Sequence, residues 1–366
     1  MDSEKVLTDA SLPDDLVVKI LSRVPFKSFC RFKCVCKAWL AFSSDPHYRQ
    51  KLPKIPTGLF HGCKDGSVAQ LVSLSRNDEE IDGGLTFLPH HEHLIFVDCC
   101  NGLVLCQYKS NYTSPNICRF IVCNPATQEW RTLPDIHPDP DPIASRCTTF
   151  LAFDPSWSAQ FYVFNFSDEL PLGINKLELF SSDLSTWTVD ATWSLDVQIY
   201  EPHHFVGGVL YVHTVDGEIL VLKAMGSGIP PRHFTIELPD RLWSLVYGCF
   251  GQSSGLLQCV FLEESGDTAV VFSLDAHHSY EWSLKCRVSM RDALGRDDFV
   301  HNNSWPHWLG YHIVALDLEG GFIFLVDMEQ IKLLSYNINT GKLRKIQDDC
   351  RSNYLYYVAC YSKLPG

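Results

Sequence analysis

From residue 58 onward the chain repeats at intervals near 50 residues, and its short apolar runs lack the 3.6-residue period of a helix. Four units open on a glycine: Gly102-Leu103-Val104-Leu105, Gly208-Val209-Leu210-Tyr211, Gly255-Leu256-Leu257-Gln258 and Gly321-Phe322-Ile323-Phe324. These glycines lie 106, 47 and 66 residues apart, and Ala159-Gln160-Phe161-Tyr162-Val163-Phe164 supplies the strand missing from the long first interval. A second mark recurs out of phase: an apolar run, an Asn or Asp, a turn, then Trp or Leu. It runs from Asn124 to Trp130, Asp183 to Trp187, Asp275 to Trp282 and Asn339 to Leu343. A unit of this length made of strands alone predicts the blade of a β-propeller, because it covers its faces only by stacking on neighbours. Residues 58–366 have room for about six such blades. Tyr354-Leu355-Tyr356-Tyr357-Val358 is a last strand able to complete the first blade, and closing the ring removes edges open to aggregation. A β-sandwich is the competing arrangement.

Residues 12–51 obey a different period. Pro13 suits a first helical turn, where its missing N–H leaves no bond unmade, and Asp14 and Asp15 favour the positive end of the helix dipole. Leu16, Ile20 and Val24 follow at i, i+4 and i+8, with Val17 and Leu21 widening the stripe. Pro25 stops that helix, since the residue before a proline is driven out of the α region. A second short helix carries Phe29 and Phe32, and a third carries Val35, Cys36, Trp39 and Leu40 before Asp45-Pro46. Forty residues with this many apolar side chains are too small to form a core alone. They read as a module that docks a partner.

The run Leu12-Pro13-x-x-Leu16-x-x-x-Ile20-Leu21-x-x-Val24-Pro25, with Phe32-Lys33-Cys34-Val35-Cys36-Lys37-Ala38-Trp39, closely resembles the F-box. The resemblance implies binding to the Skp adaptor of cullin–RING ubiquitin ligases through Leu12, Pro13, Leu16, Ile20, Leu21, Pro25, Phe29, Val35, Cys36 and Trp39. Residues 12–51 carry a net +5, whereas residues 52–366 carry −16, so an acidic adaptor suits the module. Cys99-Cys100-Asn101-Gly102-Leu103 and Cys123-Asn124-Pro125 through Trp130-Arg131-Thr132-Leu133-Pro134 resemble the plant F-box-associated domain, which is similar to kelch repeats. The expected chain is therefore an α+β multidomain protein: a disordered N-terminus (1–11), an F-box (12–51), a linker (52–57) and an all-β kelch-like propeller (58–366).

Little in the sequence points to bond chemistry. Gly251-Gln252-Ser253-Ser254-Gly255 has the spacing of a nucleophile elbow, but that device needs a helix after the serine, and Leu256–Leu262 reads as a strand. His90-His91-Glu92-His93, His203-His204 and His277-His278 are clustered in sequence. Neighbouring residues of a strand face opposite ways and cannot chelate as a pair, so no metal and no cofactor is expected. Fifteen cysteines, odd in number and irregular in spacing, in a chain opening on Met1-Asp2-Ser3-Glu4-Lys5, predict buried free thiols in the cytosol or nucleus. A net charge of −13 argues against a nucleic-acid partner, and no apolar stretch is long enough for a membrane span. Two loops stand out for target recognition: the acidic, proline-stiffened Asp135–Pro142, and His301–Trp308, where Trp305 and Trp308 stand near a polar turn. The expected function is that of a non-catalytic receptor which joins a target protein to the adaptor and, through it, to a cullin and a RING protein. A propeller enzyme or small-molecule sensor whose turnover runs through the F-box is the alternative.

Overall fold

Each repeat becomes an antiparallel sheet of up-and-down strands. The computed structural model describes residues 13–32, 37, 55–62, 69–74, 81–109, 117–136, 145–169, 173–190, 195–223, 232–239, 248–263, 266–276, 280–296, 300–301, 308–348 and 354–365. Blade one contains β1 (Thr57–His61) and β2 (Gln70–Ser73). Blade two is β3 (Leu94–Cys100), β4 (Leu103–Tyr108), β5 (Phe120–Asn124) and β6 (Glu129–Thr132). Blade three is β7 (Ser145–Phe153), β8 (Phe161–Glu169), β9 (Gly173–Ser181) and β10 (Thr186–Asp190). Blade four is β11 (Ile199–Val206), β12 (Val209–Thr214), β13 (Glu218–Lys223) and β14 (Arg232–Glu237). Blade five is β15 (Cys249–Ser253), β16 (Leu256–Leu262), β17 (Thr268–Asp275) and β18 (Glu281–Ser289). A short ladder, β19 (Val300–His301) with β20 (Trp308–Leu309), precedes blade six: β21 (Tyr311–Asp317), β22 (Phe322–Asp327), β23 (Lys332–Asn337) and β24 (Lys342–Asp348).

The last strand, β25 (Leu355–Val358), pairs with β1 and supplies the innermost strand of blade one. The inner strands then touch in the ring order β3, β7, β11, β15, β21, β25 and back to β3. The result is a closed six-bladed propeller. Burial falls from the middle of a blade to its rim: every residue of β5 is buried, while β6, β14 and β24 expose at least half their side chains in part or whole. Middle strands are covered on both faces by neighbouring blades and so are mostly apolar, whereas the outer strands meet water.

The repeated glycines are turn residues. Asn101-Gly102, Gly207-Gly208 and Ser254-Gly255 each have two consecutive positive φ angles and join the first and second strands of a blade, the geometry that matches strand twist in a two-residue hairpin. Gly251–Gly255 therefore lies in β15 and its hairpin. Blade three replaces the two-residue turn with a longer connection, Asp154–Gln160, which is why the glycine mark skips a unit there. The Asn/Asp mark lies at the turn between third and fourth strands. Asn124 Oδ1, for example, accepts from the Ala126 amide at 3.1 Å.

Before the ring come α1 (Asp14–Leu21), led by Pro13, and α2 (Phe26–Phe32), which starts immediately after Pro25. A third short helix, α3 (Met290–Leu294), is capped by the Ser289 hydroxyl and buries Met290 and Ala293 against blades five and six. The third helix expected over Val35–Leu40, Lys37 apart, and the N-terminus 1–11 lie outside the described residues.

Candidate functional site

The docking helices divide their apolar residues between two faces. Val17, Val18, Leu21 and Phe29 form a small core of their own, with Val24, Phe26 and Phe32 packed against it. Leu21 and Phe29, expected on the docking face, are 1% and 4% exposed and turn inward instead. The stripe read from the sequence is wider than a two-helix core can cover, so part of it is left outside. Leu16 and Ile20 are that part: one helical turn apart, 47% and 53% exposed. Pro13 and Pro25 are also exposed, at the start of α1 and before α2. Leu12, Val35, Cys36, Trp39 and Trp305 lie outside the described residues; Trp308 belongs to β20 by its backbone.

The ring axis holds a polar cluster assembled from distant parts of the chain. Asp98 on β3 is buried; one carboxylate oxygen accepts from its neighbour Cys99 N at 2.7 Å. The other accepts from Leu151 N of blade three at 2.6 Å and lies 2.9 Å from Nε2 of His203 of blade four. The His203 ring packs over Phe150 at 4.1 Å between centroids. One carboxylate thus ties three consecutive blades. Register shifts in β3 beside Asp98 and in β11 beside His203 mark bulges that aim these side chains. Gln252 of blade five donates to Asn101 of blade two at 3.3 Å, and Asn101 donates to the Phe153 carbonyl at 2.7 Å. Blades two and five stand opposite each other in a ring of six, so the Gln252–Asn101 bond spans the axis.

This cluster is structural in its bonding. His203 uses Nε2 on Asp98, and the nearby Cys100 thiol donates to Phe153 O while burial raises its pKa far above the ordinary thiol range. Burial likewise pushes up the thiols of Cys99, Cys106, Cys123 and Cys259, as expected of inert core cysteines. His91 and His93 lie in a 3-10 turn and flank Glu92 at 3.4 and 3.7 Å, rather than sharing a strand face. Among the described residues no three His, Cys, Asp or Glu side chains converge as metal ligands would, and no helix is long and apolar enough to cross a membrane. The sequence offered no route to the axial cluster. Asp98, Asn101, His203 and Gln252 share no local motif, and only ring closure brings them together.

The described ends of the two expected recognition loops leave the ring on one face. Fourth strands run opposite to inner strands, so connections from a fourth strand to the next inner strand leave from the face away from the glycine hairpins. The described ends of both loops are such connections. Asp135 is held by a two-pronged bond from Arg119, at 2.8 Å for each contact, and Ile136 pairs with Cys118.

The described chain is a six-bladed ring preceded by a short helical module on which Leu16 and Ile20 stay exposed. Residues 10–51 match the family model described as "F-box domain". F-box protein At3g52320 of Arabidopsis thaliana is 30% identical over 325 residues, 80% of this chain and 76% of that one. F-box protein At5g07610 of the same plant is 29% identical over 194 residues, 48% of this chain and 44% of that one. F-box/LRR-repeat/kelch-repeat protein At2g27520, also from Arabidopsis thaliana, is 34% identical over 126 residues, 33% of this chain and 31% of that one. This chain thus spans less than half the length of the latter two. It belongs to the F-box protein family.

Proposed function

We propose that the chain is the target-recognition subunit of a Skp–cullin–F-box ubiquitin ligase. In this reading α1 docks a Skp-type adaptor, the adaptor brings a cullin and a RING protein, and the propeller holds a target protein in the cytosol or nucleus. The chain itself makes and breaks no bonds. Its contribution is to raise the effective concentration of the target's lysines beside the ubiquitin thioester.

The observation that carries the reading is the exposed pair Leu16 and Ile20 on a helix whose other face is already buried in its own module. Covering the exposed half of each side chain contributes roughly 1 kcal/mol. Leu12, Pro13, Pro25, Val35, Cys36 and Trp39 complete the proposed docking set, while Leu21 and Phe29 support it from inside. Target contacts, Trp305 and Trp308 among them, are assigned to the fourth-to-first-strand connections.

The test is recovery of a Skp adaptor with the intact chain and with the double variant Leu16→Asp, Ile20→Asp. Both positions point to water, so the variant keeps its fold, and affinity for the adaptor drops about 100-fold or more as two apolar anchors are lost. Undiminished recovery would sink the reading.

A further inference from the structure

The chain does not leave the ring when β25 ends. Ala359 N donates to Pro56 O at 2.9 Å, which ties the tail to the stretch that leads into β1. Asn124, fully buried at the end of β5, then donates from Nδ2 to the carbonyls of both Cys360 (2.8 Å) and Ser362 (3.0 Å). Its Oδ1 is meanwhile held by Ala126 N at 3.1 Å, so the amide is fixed from both ends. Further along, Leu364 N donates to Glu129 Oε2 at 2.7 Å, and the Leu364 side chain packs on the core between blades two and three. The hairpin at Gly102 also lies against this segment: a Cβ there would stand 2.5 Å from Cys360 Cβ.

Between these fixed points stands Tyr361. Its ring packs on Phe26 of α2 at 5.5 Å between centroids, and Phe26 in turn packs on Phe29 in the helical core at 6.2 Å. The tail therefore touches blade two through backbone and side-chain bonds, and touches the docking helices through an aromatic pair. We propose that residues 359–365 are a positioning clamp that holds the docking helices at one orientation on the ring. Two bodies joined only by a linker move independently by default; a tail bonded to one and stacked on the other removes that freedom. For ubiquitin transfer, which rests on the proposed function, the clamp sets how far a target on the ring lies from the adaptor.

The test measures the orientation itself. Spin labels on unnatural side chains replace Lys19 of α1 and Lys345 of β24, both exposed, and electron–electron resonance reads the distance distribution between them. The parent chain gives one narrow distribution. Tyr361→Ala and Phe26→Ala each broaden it about twofold or more, the response expected of a released joint. Phe26→Ala lies on the helical side and leaves the ring intact, so it decides the matter should Tyr361→Ala disturb β25, provided its helical circular dichroism matches the parent's, since Phe26 also packs on the helical core. An unchanged width in Phe26→Ala overturns the clamp. The measurement needs no adaptor, so a chain that fails to bind Skp yet broadens on Phe26→Ala loses the ligase reading and keeps the clamp.

Discussion

His204 occupies the inner strand of blade four, next to His203 but turned to the other side of β11. Burial lowers its pKa to about 4, and the neighbouring His203 ring adds to the effect. His213, one strand outward, is also lowered to about 4 by burial. A free histidine takes up its proton near 6.5, so between pH 6.5 and 4 the unfolded chain binds more protons than the folded one. This contribution to stability is complete above the unfolded value and is lost as pH falls toward 4. For His204 the loss is on the order of 3 kcal/mol. Urea midpoints at neutral and mildly acid pH should diverge in the parent chain and diverge clearly less in His204→Gln, where His213 keeps its own share; equal divergence in both would refute the assignment. The doublet His203-His204 was visible in the sequence, as was its opposite-facing geometry. Its partner Asp98 was not, because 105 residues and two blade boundaries separate Asp98 from His203.

At the scale of the strand, the recurring Trp of the fourth strand is a staple between blades. Trp187 Nε1 donates to Pro134 O at 2.9 Å and Trp282 Nε1 to Glu237 O at 3.0 Å, in each case a carbonyl at or just past the end of the fourth strand of the preceding blade. The sequence separations, 53 and 45, are the repeat itself. Trp130 holds the equivalent place in blade two. Blade one presents no fourth strand among the described residues, and Trp130 is 45% exposed. Trp187→Phe should therefore cost about 1 kcal/mol, the net worth of one such bond, while Trp130→Phe costs close to nothing. Equal losses by chemical denaturation would show that the indole acts through packing alone. The position of these residues was legible as a pattern, but the bond was not, since its acceptor lies in the neighbouring repeat. The helices behaved similarly: their start at Pro13 and the break at Pro25 follow from local chemistry, whereas the inward turn of Leu21 and Phe29 depended on how α1 meets α2.

For the whole molecule the decisive event is closure. β25 brings Tyr357, fully buried, against Phe60 at 5.1 Å, edge to face, and completes the inner ring between β21 and β3. Deleting residues 354–366 should expose Phe60 and Leu59, open an inner edge, and replace one cooperative thermal transition with broad unfolding and aggregation. A sharp, reversible transition in the truncated chain would show that the ring does not need its last strand. What the sequence determined unaided was everything set within one repeat or one helix. That covers the switch from a helical to a strand period, the glycines that open strands, the Asn/Asp turns and the count of about six blades, because turn chemistry and apolar periodicity act over a few residues. Tertiary structure alone decided which apolar side chains of α1 stayed outside, that Asp98 would join His203 and Gln252 would reach Asn101 across the axis, and that the tail would meet Phe26. Those contacts join residues from distant parts of the chain. They exist only after the ring has closed and fixed where each blade stands.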